Sequence, residues 1–117
     1  LKTAWDSFLD SQLPSAGIVA CAISQPGCAL ISRRAGDTLS QTQLERLLDC
    51  VAQAAARLDQ HGCEARRLTW TFDHALLLIA CRLDGARLVV VSENVAGQPP
   101  NEGARRLVKA FQEQPAS

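Results

Sequence analysis

Apolar positions along the chain fall into two rhythms, one helical and one of short unbroken runs. In residues 2–13, "KTAWDSFLDSQL", Trp5, Phe8, Leu9 and Leu13 recur on one stripe. That spacing predicts a short helix, capped near Thr3 and ended by Pro14. Residues 18–23 of "GIVACAI" are apolar at both parities, as expected of a strand covered on both faces. "QPG" at 25–27 predicts a turn, with Pro26 presetting φ and Gly27 free to take positive φ. A more mixed strand over about 28–33 follows, and its ending in Ser32, Arg33 and Arg34 suits an outer position.

The longest helical pattern starts at Ser40, where Gln43 three residues on completes a capping box. Leu44, Leu47, Leu48, Val51, Ala55 and Leu58 continue it, and Gly62 stands as the C′ residue. "RLTWTFD" then alternates strictly, with Leu68, Trp70 and Phe72 on one face and Arg67, Thr69, Thr71 and Asp73 on the other. "ALLLIAC" and "LVVV" are again apolar at both parities, joined through Asp84-Gly85, a two-residue hairpin signal. Beyond the loop "NVAGQPPNEG", with Asn101 as N-cap, a last helix turns Ala104, Leu107, Val108 and Phe111 inward and Arg105, Arg106 and Lys109 outward.

These elements predict an α/β (α+β) domain spanning residues 1–117. The doubly covered strands are the first, fourth and fifth, so the mostly antiparallel five-stranded sheet takes the order 2-1-5-4-3. The long helix lies on one face and the terminal helices on the other. At ~1.5 Å per residue the long helix reaches about 30 Å, enough to cross a sheet about 19 Å wide.

The third strand is then a long edge without the proline or lysine that discourages pairing between chains. This predicts a homodimer about a twofold axis. Its interface comprises Leu68, Trp70 and Phe72 of the edge, with Cys50 and Ala54 of the long helix.

Charge adds exclusions. Twelve basic and twelve acidic residues balance to zero, with no basic stripe of the kind that marks a nucleic-acid binder. No apolar run approaches the ~20 residues of a membrane span, and no leader pattern is seen, so no membrane insertion is expected. Five cysteines, Cys21, Cys28, Cys50, Cys63 and Cys81, form neither a CxxC pair nor an even framework. They read as buried small hydrophobes in a reducing, cytoplasmic setting, without a metal or other cofactor.

Catalysis finds little support. Asp73, His74 and Cys81 are close in sequence, but Asp73 and His74 are corner residues. Cys81 lies seven strand residues from His74, about 23 Å at ~3.3 Å per residue, beyond reach for a nucleophile and its base. Cys63 in "HGC" follows a helix C-terminus, whose dipole disfavours a thiolate. No GxxxxGK[ST] or GxGxxG loop exists to hold phosphates. The chain is therefore expected not to be an enzyme.

"GIVACAI" with its "QPG" turn, the helix "LSQTQLERLLDCVAQAAARL" and the hairpins through "FDHA" and "LDGA" together resemble the roadblock / dynein light-chain family, a branch of the profilin-like and longin-like folds. The resemblance implies a non-catalytic dimeric adaptor for a small Ras-like GTPase or a similar protein partner. It further implies that the outward residues of the long helix, Arg46, Asp49, Gln53 and Arg57, meet that partner. The plainer reading of those four is the solvated face of an amphipathic helix. The pairs Arg33-Arg34, Arg66-Arg67 and Arg105-Arg106 read first as solubility residues, and second as contacts for acidic surfaces. An alternative function is small-molecule sensing, which profilin-like folds also support. It requires a sizeable pocket lined by convergent polar groups.

Overall fold

The computed structural model describes residues 4–13, 17–28, 30–35, 39–62, 67–71, 75–82, 84–93 and 102–114. The elements run α1 (Ala4–Gln12), β1 (Ile18–Ser24), β2 (Ile31–Arg34), α2 (Gln41–Gln60), β3 (Arg67–Thr71), β4 (Ala75–Cys81), β5 (Arg87–Glu93) and α3 (Glu102–Glu113). The five strands form one sheet of order β2-β1-β5-β4-β3, antiparallel at every pairing. This is the predicted order.

The sheet separates two cores. On one side Leu44, Leu48 and Val51 of α2 pack against Ala20, Ala22, Leu77, Ile79, Val89 and Val91. On the other, α1 and α3 bury Trp5, Phe8, Leu9, Leu107, Val108 and Phe111 against Ile18, Cys21, Ile23, Leu88 and Val90. The two sets on β5 alternate, Leu88 and Val90 toward one core and Val89 and Val91 toward the other. A strand buried on both faces must therefore read as a continuous apolar run.

Local signals act as expected at the start of α2. The Gln43 N–H donates to Ser40 Oγ at 3.1 Å, and the Ser40 N–H to Gln43 Oε1 at 2.8 Å. Both halves of the capping box are made.

Two boundaries differ from the sequence expectation. Strand β2 begins at Ile31, not near 28, because the Cys28 N–H returns to the Gln25 carbonyl at 3.0 Å. With Gly27 at φ 78°, the stretch 25–28 is a closed turn, and the ladder resumes only at Ile23–Ile31.

The β4–β5 hairpin is also not a two-residue loop. The Arg82 N–H donates to the Ala86 carbonyl at 2.9 Å and the Gly85 N–H to the Arg82 carbonyl at 3.1 Å. Asp84 has no positive φ, whereas Gly85 stands at 91°. This is the three-residue loop with a glycine bulge, which shares the Asp-Gly signal of the shorter turn.

Gly85 also abuts the neighbouring turn. A Cβ there would lie 3.1 Å from Pro26 Cγ and 3.2 Å from Pro26 Cδ. Gly85→Ala is expected to lose about 1–2 kcal/mol from the left-handed backbone alone, with the proline ring adding to the loss. Urea unfolding followed by circular dichroism measures it.

Candidate functional site

Helix α2 presents three bands. Leu44, Leu48, Val51 and Ala55 are buried against the sheet. Leu47, Ala54 and Leu58 are half-buried, and Cys50 is exposed, on one shoulder. Arg46, Asp49, Gln53 and Arg57 are all exposed and, spaced three or four apart, form a single outward ridge. The structure thus brings the four predicted partner residues together. The ridge carries both charge signs and has no ion pair among the described residues.

The predicted edge residues sit as follows. Leu68 and Trp70 are half-buried and pack with the α2-side core, while Arg67, Thr69 and Thr71 are exposed on the opposite face. Phe72 lies outside the described residues, as do Asp73, His74 and Cys63. Cys50 and Ala54 share the α2 side of the sheet with Leu68 and Trp70. Cys81 is half-buried on that same side, consistent with a packing role.

The two sheet edges are unequal. Strand β2 has four residues, and its side chains are tied to both helices beside it. Ser32 Oγ exchanges hydrogen bonds with the Gln41 amide at 3.0–3.2 Å, and Arg34 donates to the Leu39 carbonyl at 3.0 Å. Arg33 donates to Asp6 at 3.0 Å and to Asp10 at 3.3 Å. A short, arginine-bearing, anchored edge resists strand addition. Strand β3 has five residues and, among the described residues, one such tie, Arg67 Nε to Gln112 Oε1 at 2.7 Å. As the last strand of the sheet, β3 has no strand partner on its outer side among the described residues.

Two features bear on chemistry. Burial pushes the Cys21 thiol up to about 11, only partly offset by Arg33, so this cysteine is an inert core residue. A cavity of about 300 Å³ lies where the end of α1 meets β1 and β2, lined by Leu13, Ile18, Val19 and Ala20 together with Asp10, Arg33 and Arg34. That volume is at the low end for small-molecule sites. Both arginines are already engaged, Arg33 by Asp6 and Asp10 and Arg34 by the Leu39 carbonyl.

One cluster was not anticipated from the sequence. Arg82, whose side chain is 8% exposed, pairs with Asp84 at 3.0 Å and donates to the Phe111 carbonyl at 2.7 Å. Its guanidinium carbon stands 5.0 Å from the Trp5 ring centroid and 5.5 Å from that of Phe111. The last turn of α3 has no basic residue of its own, and Arg82 supplies that charge from the sheet. The sequence signal was slight: a lone arginine directly after a buried strand.

Among the described residues there is no group of His, Cys, Asp and Glu able to hold a metal, and no helix long and apolar enough to cross a membrane. Neither protein-family models nor curated protein sequences give a match to this chain.

Proposed function

We propose that this protein is a non-catalytic adaptor that pairs with a second copy through β3 and offers the α2 ridge to a protein partner. The observation that supports this most is the contrast between the two sheet edges, one anchored and charged, the other open beside an exposed helix. The class of partner, a small Ras-like GTPase or a similar protein, rests on the resemblance to the roadblock / dynein light-chain family. A cytoplasmic setting belongs to the same reading.

The pairing is tested by sedimentation equilibrium. The expected result is a dimer at micromolar concentration. Thr69→Lys with Thr71→Lys should weaken it roughly tenfold or more, by setting like charges across the junction, without a large change in melting temperature. A wild-type chain that remains monomeric removes the dimer.

The ridge is tested by capture of purified Ras-like GTPases on the immobilised protein. Arg46→Ala with Arg57→Ala should reduce capture roughly tenfold while leaving the unfolding midpoint within error, as expected of exposed interface residues. Undiminished capture would take the ridge out of the interface. Small-molecule sensing would use the cavity beside α1, and a thermal-shift screen of metabolites against the wild-type chain discriminates it.

A further inference from the structure

The arginine pairs at 66–67 and 105–106 are far apart in sequence, and the fold brings one member of each to a common place. Strand β3 pairs Thr69 with Leu78 of β4, and Leu78 packs into the core beneath α1 and α3. The exposed residues Arg67, Thr69 and Thr71 therefore lie on the α3 side of the sheet. Helix α3 covers β4 and β5 and leaves this strip of β3 bare.

The bond from Arg67 to Gln112 fixes which flank of α3 adjoins the strip. One turn back along that helix is Lys109, and two turns back, about 10 Å away, is Arg105. Both are exposed. Arg67, Arg105 and Lys109 are without an ion pair among the described residues. The carboxylates of α3, Glu102 and Glu113, are exposed and stand one turn from Arg105 and Lys109, with no ion pair to either among the described residues. A polar shelf floored by Thr69 and Thr71 is thus bordered by three cations that form no ion pair among the described residues, in a chain whose total charge is zero.

We infer that this shelf binds an acidic polypeptide segment of a partner protein. Charge complementarity selects the sign of the occupant. Three features favour a peptide over a nucleic acid. Among the described residues the shelf has no aromatic side chain on which bases would stack. Its cations among the described residues are three, few for tracking a continuous phosphate backbone. The threonine hydroxyls suit the amide groups of a chain laid along the strand. The shelf is complete within one copy, on the face of the sheet opposite the α2 ridge. It does not depend on the pairing or the partner proposed above.

The test is fluorescence anisotropy with the whole chain and a fluorescein-labelled oligoglutamate peptide, with a labelled oligothymidylate as the second arm. The peptide is expected to bind with an affinity that falls as salt rises. Replacing Arg67→Gln, Arg105→Gln and Lys109→Gln together should weaken it roughly tenfold or more, and Arg106→Gln on the far flank by no more than about twofold. Circular dichroism melts check that the variants are folded. Absence of peptide binding at low salt, an equal loss with Arg106→Gln, or tighter binding of the oligothymidylate would each overturn the assignment.

Discussion

Phe111→Ala is expected to destabilise the protein by about 3–5 kcal/mol, the range for deleting a fully buried aromatic ring. Phe111 has no exposed surface and closes the core between the terminal helices. Its ring lies 5.0 Å from that of Trp5 and 6.4 Å from that of Phe8, so the deletion strips both neighbours of a packing partner. Against a typical net stability of roughly 5–15 kcal/mol, such a loss removes a large share. The urea midpoint reports it directly. Phe111→Leu, which retains most of the volume, should recover more than half.

The second large effect is expected at Arg82. Arg82→Met keeps the length and apolar stem of the side chain but removes the charge, at a cost of about 2–3 kcal/mol. The Phe111 carbonyl loses its 2.7 Å donor, and the Asp84 carboxylate, 24% exposed, loses its counterion. The partial exposure of Asp84 lets water recover some of the loss, which keeps the figure below that of a sealed pair.

A double-mutant cycle with Asp84→Asn should be less than additive, because the two residues share one interaction. The pH dependence supplies a second readout. Partial burial acts to raise the Asp84 pKa, but the Ala86 N–H and the Arg82 guanidinium outweigh it and hold the carboxyl below its ordinary range. The contribution is therefore fully present above the unfolded value of ~3.9 and is lost as pH falls through the lower folded value. Wild type should lose this increment on acidification, and Arg82→Met should keep only the part that the Ala86 N–H supplies.

Legibility in the sequence followed the range of the interactions involved. Elements specified by neighbours, such as the Ser40–Gln43 capping box and the unbroken apolar run of β5, were readable because their partners lie a few residues away. Strand order followed from which runs were apolar at both parities. The α2 ridge was readable for the same reason, since helical period alone places Arg46, Asp49, Gln53 and Arg57 in line.

Features made by distant segments were not readable. Arg82 acquires its role from Trp5 and Phe111, which the chain order does not place beside it. Arg67 likewise meets α3 across 45 positions. The hairpin at Asp84-Gly85 failed for a subtler reason: two loop geometries demand the same glycine, and only the hydrogen bonds of Arg82 separate them.

Under the proposed pairing, the inequality of the sheet margins would also set a ceiling on growth. A chain with two receptive borders would add copies without end and yield a fibre. Here the β2 border is tied by side chains to its flanking helices, so in the pairing proposed above a docked second molecule would occupy the receptive border of each copy. On that proposal, ordered stacking through the sheet would halt at a pair.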